Sequence, residues 1–310
     1  MTDGIYILAD NKIIDLFVAL VNSIAISREE LAPDNYKKNC EYPIVVVPFS
    51  NECSEVKGYL EYAKKWAELD IRMLDFKLMD ENASNIHCTC NKILYELGKH
   101  SPRRNQFTHI PGEFSKFVCF DEEMPFDRYL MLDADIIIKD QTFFHRAFET
   151  LGDNHFLSLD HFYKMNGAMC KLKRPEYQAK GHVDDNIFCV GAFGAKKQKG
   201  FDNILEIIHD NIYDSFSLSW RSLMPSAPEQ TILEQIMCQY SNYAKVAHMY
   251  DKYELCTHGV LMKCLYPPEA RKDFLHYIGV PNVMFDNSFG LPNSINVPEP
   301  DLWLKMRYAL

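Results

Sequence analysis

Two aspartates separated by one small residue are the group in this sequence best suited to chemistry. Asp133 and Asp135 flank Ala134 inside an otherwise apolar segment, with 129–132 before it and 136–138 after it. Two buried carboxylates repel each other and lose their hydration, so such a pair requires a compensating positive charge. Hard divalent cations such as Mg²⁺ and Mn²⁺ prefer carboxylate oxygens. The spacing therefore predicts a metal site, with two solvated or capping acids at a strand end as the structural alternative.

The elements that position this pair follow from the pattern of apolar residues around it. Short runs rich in β-branched residues alternate with segments of helical periodicity, which predicts an α/β fold with a parallel sheet and right-handed crossovers. Strands are predicted at 5–9, 43–49, 71–76, 129–138, 155–159, 184–195, 245–249 and 274–279, and helices at 14–27, 55–69, 85–97, 142–151, 201–213 and 229–240.

Polar residues lie at or near the ends of three of these strands. Asp10 and Asn11 end the first strand, the Asp133–Asp135 pair lies on a central one, and His276 comes near the end of the last. Ligands of open α/β sheets bind outside the carboxyl ends of the strands. His276 is therefore a candidate third metal ligand, although a structural histidine at a strand end is the alternative. Gly279, three residues later, would let the backbone approach a ligand closely.

Length, charge and cysteine usage limit the class of protein. A chain of 310 residues with 47% hydrophobic residues can bury a large core, and a formal net charge of −10 argues against general nucleic-acid binding. The first residues do not look like a signal peptide, and no apolar window has the length of a transmembrane helix. The ten cysteines include no CxxC pair, so free thiols in a reducing cytoplasm are expected. The amphipathic segment 301–308 predicts a docked helix, with a peripheral membrane contact as the alternative.

Taken together, the apolar strand with its Asp-Asn turn, the Leu-Asp-Ala-Asp-Ile segment and the late His-Tyr-x-Gly resemble the nucleotide-sugar glycosyltransferases of GT-A fold. Within that fold the chain is most similar to the glycogenin and lipopolysaccharide galactosyltransferase group, which is family-8-like, from about residue 5 to residue 279. The resemblance implies a Rossmann-like, mostly parallel mixed sheet flanked by helices. It also implies a metal-dependent hexosyltransferase that uses Mn²⁺ or Mg²⁺. The donor would be a nucleotide-diphosphate sugar, with UDP-sugar favoured. The acceptor would be a carbohydrate or another hydroxyl compound, with retention of configuration.

The same resemblance implies roles for individual residues. The metal ligands would be Asp133, Asp135 and His276, and Asp133 would also contribute to the nucleotide-sugar site. The remaining matched positions are Ala9, Asp10 and Asn11 at the uracil and ribose, Lys116 near the diphosphate, and Glu229 and Gln230 near the transferred sugar.

The resemblance also implies the organisation of the chain. One catalytic domain would span 1–285, with a nucleotide-binding half at 1–135, an acceptor and sugar half at 136–285, and a C-terminal extension at 286–310. The basic segment 164–182 is predicted to be a long loop. It would close over the donor or meet an anionic acceptor, and a solvated basic loop is the alternative.

Two departures from the group's pattern keep other functions open. Cys189 stands where the group has Asn, and 280–282 lacks the lysine that usually follows the histidine motif. A non-catalytic GT-A module that binds nucleotide sugars is therefore one alternative. A haloacid-dehalogenase-like phosphatase, whose Asp-x-Asp motif lies near the amino end, is a weaker one. A sugar nucleotidylyltransferase would need a glycine-rich loop after the first strand, and 9–12 contains no glycine.

Overall fold

A computed structural model describes the parts of the chain that form the sheet and its covering helices. The described residues are 1–26, 42–48, 52–75, 114–121, 123–140, 142–159, 161–162, 187–188, 191–197, 233, 246–249, 274–276 and 306–307.

The described strands and helices follow one another in mixed α/β order. The strands are β1 (Asp3–Ala9), β2 (Ile44–Pro48), β3 (Ile71–Met73), β4 (Arg128–Asp133), β5 (Ile136–Ile138), β6 (Phe156–Ser158), β7 (His161–Phe162), β8 (Ile187–Phe188), β9 (Ala192–Lys196), β10 (Val246–His248) and β11 (Phe274–His276). The helices are α1 (Ile14–Ile26), α2 (Ser54–Ala67) and α3 (Phe143–Leu151), with short 3₁₀ helices at Asn11–Ile13 and Phe114–Phe120.

Seven of these strands form one sheet in the order β10-β6-β9-β4-β1-β2-β3. All neighbouring pairs are parallel except those that involve β9, which runs antiparallel to both β4 and β6. The predicted α/β class with a mostly parallel mixed sheet is therefore confirmed. Strands from 1–135 and from 136–285 share this one sheet.

The central strands are apolar on both faces because helices and the 3₁₀ segment cover them. In β1, all residues from Gly4 to Ala9 are buried, and Ile44–Val47 of β2 are buried as well. Such continuous runs are typical of parallel strands covered on both sides. On α2, apolar residues recur at helical spacing and face the core, namely Val56, Leu60, Ala63 and Ala67.

The predicted strand over 129–138 is two strands in two sheets. β4 ends at Asp133, a turn at Ala134 and Asp135 follows, and β5 pairs antiparallel with β11 in a separate two-stranded sheet. Ser23 of α1 positions β5, since its hydroxyl accepts a hydrogen bond from the Ile138 amide at 2.9 Å. Carboxylates are costly inside an apolar sheet, so the ladder of β4 ends at Asp133 and the chain turns at Ala134 and Asp135.

The segment 184–195 also differs from the single strand predicted. β8 pairs with β7 in another two-stranded sheet, and β9 joins the main sheet after Gly191. The predicted helices over 85–97 and 201–213 and the basic loop 164–182 lie outside the described residues. Within the described parts of the chain, no helix is long and apolar enough to cross a bilayer.

Near the C-terminus, Met306 and Arg307 contact α1, and the rest of the segment 301–308 that was predicted to be a docked helix lies outside the described residues. Met306 and Arg307 are helical, and Met306 is buried. The Asn22 side-chain amide donates to the Met306 carbonyl at 2.8 Å, and Arg307 Nε donates to Asp15 Oδ1 at 2.6 Å. Tyr59 of α2 donates its hydroxyl hydrogen to Asn22 Oδ1. The buried Asn22 therefore joins α1, α2 and the C-terminal segment.

Candidate functional site

The Asp133–Asp135 turn lies at the carboxyl edge of the main sheet. Asp133 is the last residue of β4 and pairs with Leu8 of β1, whereas Ala9 and Asp10 come directly after Leu8. Parallel strands present their carboxyl ends at the same edge, which is where open α/β sheets bind ligands. The edge thus brings together the aspartate pair and the predicted nucleotide turn.

The two aspartates are half-buried, whereas Ala134 between them is buried. The Asp133 amide donates to the Gly191 carbonyl at 2.8 Å, so the start of β9 fixes the backbone at this point. This hydrogen bond between Asp133 and Gly191 was not predicted from the sequence.

A buried lysine lies against Asp133. Lys116 Nζ is 3.0 Å from Asp133 Oδ1 and 3.2 Å from Oδ2, so its ammonium donates to both carboxylate oxygens. The Lys116 side chain is 2% exposed and that of Asp133 is 29% exposed. The resemblance predicted a basic residue near a diphosphate at position 116. The ion pair with Asp133 was not predicted, because 17 residues separate the partners and no local pattern joins them.

The surroundings of Lys116 are apolar and tightly packed. It lies on the 3₁₀ helix Phe114–Phe120, where Ser115, Phe117 and Val118 are also buried. Burial raises the pKa of the nearby Cys119 thiol to about 12, and the Tyr129 hydroxyl and the Lys116 charge oppose this rise. The thiol is therefore neutral at physiological pH and adds no charge next to the ion pair between Lys116 and Asp133.

The first turn at this edge is held by hydrogen bonds. Asp10 is fully buried, and its Oδ1 accepts from the amides of Lys12 at 2.9 Å and Ile13 at 3.3 Å. Its carboxylate therefore caps the 3₁₀ helix Asn11–Ile13.

Asn11 ties this turn to the start of α2. Its side-chain amide donates to Ser54 Oγ at 3.1 Å, and its Oδ1 accepts from the Glu55 amide at 3.0 Å. Its own backbone amide donates to the Glu52 carbonyl at 2.8 Å. These contacts with 52–55 were not predicted, since they join residues more than 40 positions apart.

The backbone of His276 lies beside the aspartate turn. In the β5–β11 pair, His276 is directly opposite Ile136, the residue after Asp135. Opposed residues of an antiparallel pair have Cα atoms about 4.5–5.5 Å apart. The pairing of β5 with β11 therefore places the backbone of His276, the predicted third metal ligand, next to the turn. Glu229, Gln230 and Gly279 lie outside the described residues.

The donor set suits a hard divalent cation. Asp133 and Asp135 supply carboxylate oxygens at a half-buried sheet edge, and the Lys116 ammonium already occupies a cation position on Asp133. Among the side chains that the structure describes, no cluster of three His, Cys, Asp or Glu residues forms a metal site. Ligands beyond the two aspartates would have to come from His276, from water or from a bound anion.

Comparison with known proteins gives only structural likenesses. No family model matches the chain, and no curated protein matches its sequence. The galactosyltransferase LgtC, solved with donor and acceptor sugar analogs, is 16% identical over 100% of this chain and 96% of that chain, with a TM-score of 0.48. The glycosyltransferase GlyE of Streptococcus pneumoniae TIGR4 is 13% identical over 99% of this chain and 60% of that chain, also with a TM-score of 0.48.

The bifunctional glycosyltransferase WbbM is 13% identical, with a TM-score of 0.47 over 90% of this chain and 46% of that chain. This chain is thus similar in structure to glycosyltransferases, and it spans about half of WbbM. At identities below 25% and TM-scores below 0.5, these likenesses identify neither the reaction nor the substrate of this chain.

Proposed function

We propose that this chain is a metal-dependent glycosyltransferase that transfers a hexosyl group from a nucleotide-diphosphate sugar to a hydroxyl acceptor. The observation that carries the proposal is the place of the aspartate pair. Asp133 ends β4 beside β1 at the carboxyl edge of a mostly parallel sheet, and Asp135 follows in the same turn. A UDP-sugar donor, a carbohydrate acceptor and retention of configuration belong to the proposal through the resemblance of the motifs.

Asp133, Asp135 and His276 would hold Mn²⁺ or Mg²⁺. A cation held there would neutralise the negative charge that develops on the diphosphate leaving group. The chain's own part is to hold the two carboxylates at the sheet edge and to present Lys116 as a second positive charge. Ala9, Asp10 and Asn11 would form the wall of the nucleotide site, with the backbone fixed by the Asp10 cap and by the Asn11 contacts.

We assign the proposed functions to successive ranges of the chain. Residues 1–135 would bind the nucleotide, 136–285 would bind the sugar and acceptor, and 286–310 would be an extension of this single domain. In the second half, Glu229 and Gln230 would lie near the transferred sugar, and Gly279 would allow close backbone approach to the donor. A cytoplasmic location is proposed from the scattered cysteines, which include no CxxC pair.

A screen of nucleotide sugars tests the donor. The protein would be heated with UDP-glucose, UDP-galactose, GDP-mannose or the free nucleotides, each with and without Mn²⁺. Ligands that bind the folded state raise the apparent melting temperature by mass action. We expect a UDP-sugar to raise it only when Mn²⁺ is present. Equal shifts with and without Mn²⁺, or none with any nucleotide sugar, would contradict the proposal.

Cys189 supports a second candidate, a GT-A module that binds nucleotide sugars without catalysis, because the resembling group has Asn there. Slow hydrolysis of the donor separates the two, since a catalytic site releases sugar from the bound donor even when no acceptor is present. We expect Mn²⁺-dependent release of UDP from the wild type, and its loss in Gln230→Ala with nucleotide binding retained. Tight binding of the donor without any release would favour the module.

The phosphatase alternative predicts a different reaction. Among the described residues, β1, β2 and β3 precede the strand that carries the aspartates, whereas the phosphatase pattern places its motif near the amino end. Release of phosphate from p-nitrophenyl phosphate would support that alternative, and we expect none.

A further inference from the structure

The buried ammonium of Lys116 contacts Asp133, which is proposed to bind a metal cation. Its ammonium donates to both oxygens of Asp133, at 3.0 and 3.2 Å. A divalent cation on that carboxylate would lie within a few ångströms of the ammonium, and like charges at such distances repel strongly when water is largely excluded. The ammonium and the metal therefore compete for Asp133.

Moving the Lys116 ammonium away from Asp133 breaks a close ion pair. Its side chain is 2% exposed, so water cannot easily replace that contact, and an anion near the ammonium would offset the loss. The backbone is held in place by the buried neighbours Ser115, Phe117 and Val118. The four-carbon stem of lysine is flexible, so the ammonium can move while the 3₁₀ helix stays fixed.

A diphosphate at the same sheet edge offers that anion. Lysine binds phosphate as a point charge without a fixed geometry, so it needs proximity more than alignment. Asp133 lies beside the end of β1, where the nucleotide turn at Ala9–Asn11 begins. A donor bound along this edge would bring its diphosphate within reach of Lys116.

We propose that Lys116 is a positioning residue with two alternative anionic partners, and that its exchange between them couples metal binding to nucleotide binding. In the metal-free chain the ammonium neutralises Asp133. When metal and donor bind together, the ammonium moves to the diphosphate and Asp133 becomes a metal ligand. The inference rests on the proposed function, because it requires metal and nucleotide to share this edge.

The exchange has a thermodynamic signature. A lysine that stays in one place changes the affinity for metal and the affinity for nucleotide, and its two effects simply add. A lysine that must leave Asp133 for the metal, and is accepted by the diphosphate, adds a coupling between the two ligands. By linkage, UDP then strengthens Mn²⁺ binding by the same factor by which Mn²⁺ strengthens UDP binding.

The test is calorimetric titration of the whole chain with Mn²⁺, in the absence and presence of saturating UDP, for the wild type and Lys116→Met. Methionine fills a similar volume without charge. We expect Lys116→Met to bind Mn²⁺ alone more tightly than the wild type does. We also expect the factor by which UDP strengthens Mn²⁺ binding to fall by roughly tenfold, within the range usual for coupled sites. An unchanged factor, or weaker binding of Mn²⁺ alone, would overturn the proposal.

Two further variants keep the result specific. Lys65→Met removes an exposed lysine charge on α2 and should leave both titrations unchanged. Lys116→Arg keeps a mobile cation and should retain most of the coupling. Circular dichroism establishes folding first, and Lys116→Gln replaces Lys116→Met if the methionine variant is unfolded. Wild-type protein that shows no Mn²⁺-dependent binding of UDP would contradict the proposed function itself, which separates the two failures.

Discussion

The backbone of His276 pairs with that of Ile136, 140 positions earlier in the chain, and so lies next to the turn that carries Asp133 and Asp135. This pairing needs β5 to leave the main sheet after the turn. It also needs α1 to hold β5 in place, which the Ser23 hydroxyl does at the Ile138 amide. The aspartate pair, the turn that separates the two sheets and the late histidine strand thus form one structural unit.

The first prediction concerns Asp135. Asp135→Asn removes one carboxylate charge from the pair and keeps its shape, so the folded state should persist while cation binding is lost. We expect Mn²⁺-dependent binding of UDP to disappear in a calorimetric titration, with an unchanged circular dichroism spectrum. Asp153→Asn is a matched control, because the Asp153 side chain is fully exposed. Wild-type affinity in Asp135→Asn would contradict the assignment of this residue.

The second prediction concerns His276. A lost metal ligand typically weakens affinity substantially, and even outer partners of metal ligands contribute tenfold or more. We expect His276→Ala to raise the dissociation constant for Mn²⁺, measured with UDP present, by about tenfold or more. His155→Ala serves as the control, since His155 precedes β6 and has no proposed role at the metal. Equal affinities in wild type and His276→Ala would assign the histidine a structural role.

The third prediction concerns the junction at Asn22. This buried amide donates to the Met306 carbonyl and accepts from the Tyr59 hydroxyl, so Asn22→Ala leaves two polar groups without their partner. Buried groups left unsatisfied cost about 1–3 kcal/mol each. Because Tyr59 is only partly buried and water can reach it, we expect a loss of about 2–4 kcal/mol in the free energy of unfolding. Urea titration followed by circular dichroism measures it.

A half-buried asparagine provides the comparison for Asn22. Asn154 donates to the Leu151 carbonyl at the end of α3, at 3.1 Å. Water can replace this bond in Asn154→Ala, so we expect a loss of about 1 kcal/mol or less. Equal losses in the two variants would show that the C-terminal segment is not held through Asn22.

The fourth prediction concerns pH and the N-terminal segment. The Asp127 carboxylate accepts a hydrogen bond from the Thr2 amide at 2.7 Å. This hydrogen bond lowers the pKa of Asp127 below its ordinary value of 3.8. A carboxyl whose pKa is lower in the folded state stabilises the fold above its unfolded pKa. That stability is lost as the pH falls through the folded value.

We therefore expect Asp127→Asn to lower the melting temperature at neutral pH, and the difference from wild type to shrink as the pH falls below 3.8. Calorimetric scans over this range measure it. A difference that stays constant with pH would assign the effect to lost geometry and not to the charge. Asp70→Asn, at an exposed position before β3, is the control for the loss of a surface carboxylate.

Periodicity and residue type predict the parts of this fold that depend on local sequence. The strand at 5–9, the helix over 14–27 and the strand at 43–49 are observed as β1, α1 and β2 within two residues at each end. Most residues in these segments are buried, so apolar runs of the right length are sufficient to indicate them. The burial of Met306 agrees with the amphipathic pattern of 301–308, since an apolar side chain on such a pattern needs a partner.

Contacts between distant segments were not predictable in this way. The direction of β9, the exit of β5 into a second sheet and the ion pair between Lys116 and Asp133 depend on which elements become neighbours. Asn11 illustrates the same limit, because its hydrogen bonds to Ser54 and Glu55 join the turn after β1 to α2. The aspartate pair could be identified because buried charge is a local anomaly, whereas the cation that compensates it came from another part of the chain.

The most direct measurement of the central claim is an anomalous-difference map from crystals of this protein grown with Mn²⁺ and UDP. The account predicts one strong manganese peak coordinated by the carboxylates of both Asp133 and Asp135 and by the diphosphate. A nucleotide bound elsewhere, or a manganese peak that contacts neither aspartate, would contradict it.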